Sequence, residues 1–597
     1  MRTTPQRRRQ KGTSRSCDKT RRRQKAGEPI VSIAFWREGR NGFFWANNDY
    51  DRGHTVDGSD FEEDDLGPTD INRLPAVQRV PDDQFTTNGL PAIPCKRDLE
   101  DYARIWIPGL SSLMAALPTN YTVQLTSDGV ALRIFRAVES AGGTNYLTDD
   151  NTAQTQVTNS TSLYLGILAN GFSIVLNGKT NLSEHFIFCG TQPGWADVSL
   201  QVLDPNQNLV GSTTAYIQIK DIKDMYERWT VGERPAYPPT NVAQRATENL
   251  PAGENTSFRY DPPTDTNTPY IVYVHGWNME TWEKDRFGET AFKRLYWQGY
   301  HGRFGLFRWP TDNGFSSEIG TSWSNPLTDP HNYDNSEFTA WKSATGLVNL
   351  LTNLNAQYRG HVYTLAHSMG NVVTGEALRL AGTNQIVNTY VASQAAIPAH
   401  VYDSTVTNLI DFTHVNPSVP VILRQSSYGP DTPNIYGNRL AGNNAATGRR
   451  INSYNINDYA LSPDAWDFNQ ELKPDTFIGG YYSYTGSTND PSPWNHFLFY
   501  PVGESPITLD IVNQQQDLYQ AMAYAAEPRS KAMGSTAGIT TMDAMLDLTT
   551  IWPTDPSGHS YADHKWHSAE FRSTNMRQQG YWHTLLFSQT VGFNLSQ

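Results

Sequence analysis

The stretch HVYTLAHSMGNVVTGEALRLAG, residues 361–382, constrains this chain more than any other. HVYTL is β-branched and apolar. NVVTGEALRLAG carries its apolar residues at helical spacing and stops at Gly382. The five residues AHSMG between them leave room for a sharp turn and nothing more. A serine on such a strand-to-helix turn takes strained backbone angles, so the residues two positions to either side must be small. Ala366 and Gly370 flank Ser368 at that spacing. Taken alone, the pentapeptide also fits an ordinary small-residue helix start, so its surroundings decide.

From about residue 267 onward those surroundings are α/β. PYIVYVHGWN reads as a buried strand ending in a glycine loop, TAFKRLYWQGY as a helix and RFGLFRWP as a strand. Residues 336–358 form a long amphipathic pattern. Strands follow at 386–393, 419–425 and 449–461, and helices return at 517–527 and in the last thirty residues. Strands alternating with helices predict a mainly parallel sheet covered on both faces.

The first half reads differently. From 101 to 222, segments such as YTVQLTSDG, VALRIFRA, TSLYLGILA and HFIFCG alternate between Gly, Asn, Asp and Pro turns, which predicts a β-sandwich-like domain at 101–228. Nothing catalytic stands out in it; a binding or spacer module and a packing partner for the second half are both compatible. A proline-rich polar linker is expected at 229–266, ahead of an α/β domain at 267–597.

Charge is unevenly spread. The chain carries a net −13, yet residues 1–28 hold eleven Lys/Arg against Asp18 and Glu28, so the remainder stands at −22. An acidic main body argues against nucleic acid as its partner. Segment 1–40 reads as basic and without fixed structure, and it lacks the apolar core of a secretory signal. A secreted or cell-surface location is compatible with the composition but not marked by it. No run approaches eighteen apolar residues, so no transmembrane segment is expected. Cys17, Cys95 and Cys189 have neither metal nor thiol-redox spacing.

Segment 41–100 is acidic and rich in loops. Asp49, Asp51, Asp57 and Asp60 precede four further carboxylates at 62–65. Oxygen ligands at short spacing suit a structural calcium ion, although the order of an EF-hand is absent and a solvated acidic loop fits equally.

The parallel-sheet setting raises the significance of Ser368. A reactive serine there needs donors for a developing oxyanion. One is the backbone N–H of Met369, the next residue. The other should come from a loop after an earlier strand, where His275, Gly276, Trp277 and Asn278 lie. Trp277 or Asn278 would supply the N–H, with Gly276 allowing close approach and His275 supporting the loop. An acid is expected after a later strand: Asp458 in NSYNINDYAL, with Asp411, Asp464 and Asp467 as rivals. A histidine is expected near the end. His567 in KWHSAEFR is preferred over His564, and over His583, whose helical neighbours predict packing. His367 adjoins the serine as an orienting or packing residue.

HGWN, AHSMGNVV, NDYAL and HSAEF together resemble the α/β-hydrolase superfamily, in particular lipase/esterase-like bacterial serine hydrolases with such an elbow. The resemblance covers roughly 267–597 and departs at Ala366, where glycine is usual. It implies Ser368 as nucleophile, Asp458 as acid, His567 as base and no cofactor for catalysis. The implied partner is an ester-containing small molecule, lipid or polymer. Amide hydrolysis and acyl transfer use the same machinery. A non-catalytic binding or surface protein on an inactive hydrolase scaffold is the rival of a different class. The aromatic-rich loops at 309–333 and 462–506 fit either walls of a cleft or packing against the β-rich half.

Overall fold

A computed structural model describes residues 32–35, 43–46, 99–232, 239–246, 266–311, 333–403, 446–461, 532–549, 567–572 and 577–596, with short breaks within several ranges, a strand pair at 483–484 and 497–498, and isolated residues between. The basic N-terminal run, the acidic loop with Asp49, Asp51, Asp57 and Asp60, and the expected elements at 419–425 and 517–527 lie outside the described residues, as does most of both aromatic-rich loops.

The β-rich half is two five-stranded sheets. The first has the order β1 (Ala34–Phe35), β3 (Ala103–Trp106), β8 (His185–Gly190), β5 (Leu132–Arg136), β6 (Tyr164–Leu168). The second runs β2 (Phe43–Ala46), β10 (Leu209–Asp221), β9 (Gly194–Leu203), β4 (Thr122–Gly129), β7 (Ser173–Val175). All pairings are antiparallel except β2 with β10. Strict alternation of buried and part-exposed residues along β9 places Ala196, Val198, Leu200 and Val202 in the core. Helices α1 (Leu110–Ala116), α2 (Asp150–Thr158) and α3 (Ser160–Leu163) connect these strands.

The second half is an eight-stranded sheet in the order β12 (Gln244–Arg245), β11 (Glu227–Thr230), β14 (Arg303–Arg308), β13 (Tyr270–Val274), β15 (Val362–His367), β16 (Val387–Ser393), β17 (Thr447–Tyr454), β20 (Ala544–Asp547). Every neighbouring pair is parallel except β11 with β12. A separate ribbon pairs β18 (Ser483–Tyr484) with β19 (Phe497–Leu498). The continuous apolar runs seen in the sequence have their cause here: β13 and β15 are buried along their whole length. Period-two alternation still divides them. Ile271 and Tyr273 face one core with α4 (Thr281–Trp297), while Tyr270, Val272 and Val274 face the other with α5 (Tyr333–Gln357) and α6 (Gly370–Ala381). The remaining α-helices among the described residues are α7 (Ala399–Tyr402), α8 (Ala569–Arg572) and α9 (Arg577–Phe587).

The strands β11 and β12 arise from residues where the proline-rich composition predicts a boundary and linker. Short runs explain the difference: four residues of ERWT suffice to pair with β14, and two suffice for the edge strand. Similarly, β1 and β2 come from segments read as unstructured or loop-rich.

The two halves share one apolar core, which runs from Phe44 and Ile134 of the sandwich to Phe287, Leu295 and Trp582 of the second half. Trp45 on β2 packs against Tyr296 and Trp297 of α4, with ring centroids 5.1 and 5.8 Å apart. Its indole N–H donates to Asp101, 3.0 Å, and Asp101 also pairs with Lys293, 2.8 Å. Lys223 pairs with Glu289, and Asp285 pairs with both Arg228 and Arg308, all buried. Buried pairs of this kind add little net stability over apolar replacements. Removing one partner, however, costs roughly 3–5 kcal/mol because a charge is left stranded.

Candidate active site

The strands β13, β15, β16 and β17 are in register at their carboxyl ends, Val274 beside Ala366 and His367 beside Ser393 beside Ser453. Their exits therefore open on one edge, where open α/β sheets present ligand sites. Ser368 leaves β15 with φ +52°, a left-handed conformation that costs an L-residue energy. Several contacts hold it there. The Ser368 carbonyl accepts from Ala396 N, 3.0 Å, and from the Asn371 side-chain amide, 2.8 Å. That amide also donates to the Ala366 carbonyl, 3.1 Å, and its oxygen accepts from Tyr390 Oη, 2.7 Å. Gly370 is required because a Cβ there would lie 2.5 Å from the carbonyl oxygens of Val274 and His275. The start of α6 is thus pressed directly onto the end of β13.

His567 precedes α8. Its Nε2 lies 2.8 Å from Ser368 Oγ, and its Nδ1 lies 2.8 Å from Asp458 Oδ2. A carboxylate only accepts, so Nδ1 carries the proton and Nε2 is left to accept from the serine hydroxyl. Asp458 is fully buried four residues beyond β17. The same Oδ2 accepts from Gln394 Nε2, 2.6 Å. Gln394 follows β16 and itself has φ +40°. Its role left no motif in the sequence; its place at the first position past a parallel strand is the one signal available.

His367 is buried, and its Nε2 donates to the His567 backbone carbonyl, 2.7 Å. The residue before the serine therefore holds the backbone of the facing histidine. Gly276 lies against the serine: a Cβ on it would stand 2.8 Å from Ser368 Cβ. His275 is stacked on Trp309, with centroids 5.2 Å apart and rings 2° from parallel. Its Nε2 accepts from Trp309 N, 3.1 Å, so its Nδ1 donates to the Gly276 carbonyl, 2.8 Å. Burial, with Lys284 nearby, holds this imidazole well below its usual range and keeps it neutral. Holding the Gly276 carbonyl orients the whole peptide plane, so the Trp277 N–H points away from His275. Trp277 is partly buried, Met369 is fully buried, and Met369 immediately precedes α6, where first-turn N–H groups lack intrahelical acceptors.

His583 lies on the exposed side of α9, 5.1 Å in ring centroids from Phe587, rather than packed as its apolar helical neighbours predict. Asn278, Asp411, Asp464, Asp467 and His564 lie outside the described residues. Among the described residues no group of three or more His, Cys, Asp or Glu could hold a metal, and no helix is long and apolar enough to cross a membrane.

Behind the site lies Glu570, fully buried, accepting from Ser393 Oγ at 2.8 Å. Burial pushes its carboxyl up from an ordinary 4.5 to about 8. Between those values the folded protein keeps a proton that the unfolded chain has released. The stabilising contribution is complete below about 4.5 and is lost as pH rises towards 8. Glu570→Gln removes this titration, so its melting temperature relative to wild type should climb by several degrees, roughly, between pH 5 and 8. A difference that stays flat or falls across that window would contradict a neutral Glu570.

A mainly parallel sheet flanked by helices, with a serine on a strained strand-to-helix turn, defines an α/β-hydrolase-fold domain. Residues 251–410 match the model of a family described as an alpha/beta hydrolase of unknown function (DUF900). No curated protein matches the chain. Among solved structures, it is similar to the phospholipase PlaB from Legionella pneumophila, with 11% identity, TM-score 0.19, and 35% of this chain and 44% of that one covered. It is also similar to lipase B of Aspergillus fumigatus, with 12% identity, TM-score 0.20, and 47% and 68% covered. A third is RedJ with a PEG molecule bound in its active site, with 15% identity, TM-score 0.18, and 37% and 82% covered. The chain spans less than half the length of PlaB.

Proposed function

We propose that this protein is a serine hydrolase that cleaves carboxylic esters through an acyl-enzyme, in the manner of lipases and esterases. The observation that carries the reading is the His567 imidazole bridging Ser368 Oγ and Asp458 Oδ2 at 2.8 Å on each side. His567 Nε2 takes the hydroxyl proton as Ser368 Oγ attacks the ester carbonyl carbon. Asp458 holds the imidazole in the Nδ1–H form and stabilises the imidazolium. The negative oxygen of the tetrahedral intermediate is received by the N–H groups of Met369 and Trp277, the latter aimed by the His275 contact. Collapse breaks the C–O bond, and His567 returns its proton to the leaving alkoxide. Water, deprotonated by the same imidazole, then releases the acid. No step calls for a metal or an organic cofactor.

Labelling with a fluorophosphonate tests the reading. The reagent should attach to Ser368, identifiable by peptide mass, and a p-nitrophenyl ester should be turned over and protected by that labelling. Modification elsewhere, with Ser368 untouched, would defeat the proposal. Amide hydrolysis uses the same groups, so matched p-nitrophenyl ester and p-nitroanilide substrates separate the two activities; the ester is expected to react faster because its leaving group is better.

A further inference from the structure

The turn that carries His567 is gripped at two points. His367 holds the His567 carbonyl at its start. At its far end the Glu570 carbonyl accepts from Arg294 Nη1 and from Trp582 Nε1, 3.1 Å. A helix as short as Ala569–Arg572 cannot satisfy its own last carbonyls, so outside donors decide how it lies. Arg294, on α4, is in turn held from the other half of the molecule. Its Nε donates to Glu100, 3.0 Å to Oε1 and 3.3 Å to Oε2. Glu100 sits in the 3-10 turn Leu99–Asp101 that leads into β3, and its own carbonyl accepts from Trp297 Nε1, 2.8 Å. Glu100 and Arg294 are 4% and 5% exposed, so water does not loosen the contact.

We propose that Glu100 and Arg294 are positioning residues for the base: the turn ahead of β3 in the sandwich half fixes the Arg294 guanidinium, and the guanidinium fixes the backbone that carries His567. This inference rests on the reading of His567 as the base of Ser368. It gives the β-rich half a part in the chemistry, beyond a cover for α4. The planar fork of arginine suits the task, since one edge meets the carboxylate while another nitrogen reaches the carbonyl. A tilt of Ala569–Arg572 by about 1 Å at the imidazole suffices to cost on the order of 100-fold in rate.

The test compares Arg294→Met, Arg294→Lys and the double variant Glu100→Met/Arg294→Met with Lys223→Met, which breaks another buried pair of the same seam. The double variant removes both charges together and so avoids stranding one. On folded protein, kcat and the rate of fluorophosphonate labelling should fall roughly 10- to 100-fold in Arg294→Met and in the double variant, with KM changed by no more than about twofold. Arg294→Lys should recover part of the rate. Lys223→Met should lower the melting temperature and keep kcat. If the wild type labels at Ser368 while Arg294→Met and the double variant keep its kcat, the positioning role is overturned and the hydrolase reading stands. If the wild type does not label at Ser368, both fall.

Discussion

Ser368→Ala is expected to lower turnover of a p-nitrophenyl ester by at least roughly 10³-fold while leaving the fold in place. The size follows from the proposed role of Ser368 Oγ as the atom that bonds to substrate: without it, only binding and the proposed oxyanion donors remain. Structural neutrality follows from how the turn is held. Its supports are the Ser368 backbone carbonyl, the Asn371 amide and the close approach of Gly370 to β13; none involves the hydroxyl. Alanine meets the same penalty at φ +52° as serine does, so the strain is unchanged. Turnover and the melting temperature should be measured on the same preparation. A folded variant with undiminished turnover would remove Ser368 from the mechanism.

His567→Ala should cost as much, roughly 10³-fold or more, because its imidazole is the acceptor within reach of the serine proton. The loss should appear in kcat, since the side chain contacts Ser368 and Asp458 rather than an acyl-binding surface. His583→Ala is the informative partner. Its ring lies on the outer side of α9, so both activity and stability should stay near wild type. A large loss in His583→Ala with little change in His567→Ala would exchange their roles.

Local pattern carried the sequence reading furthest where one short stretch holds all the constraints. Ser368 was legible because strand, turn and helix are contiguous, and Gly276 because its glycine loop ends a buried strand. Asp458 and His567 were nameable from chain order, the acid after a later strand and the histidine near the end, and His567 stands between Asp458 and Ser368. The supports were not legible, because they join residues far apart in sequence. Gln394 reaches Asp458 across 64 positions, and Glu100 reaches Arg294 across 194. Neither pairing leaves a spacing to read. Gln394 also adopts a positive φ without being glycine, a conformation that residue type does not announce. The short strands at 227–230 and 244–245 were hidden for another reason: pairing with a sheet edge demands backbone more than composition.

The seam of buried ion pairs and edge-packed rings between the halves also governs how such a chain can be inherited. A module joined by a solvated surface can be lost, duplicated or traded for another with small penalty. Here a foreign β-rich half would have to bring a carboxylate for Arg294, another for Lys293, a cation for Glu289 and an aromatic ring in the place of Trp45, all in register. Failing any one of the three ionic partners strands a charge in the interior. The two halves are therefore expected to descend as a unit, and residue changes along α4 to be matched by changes in the sandwich rather than drift alone.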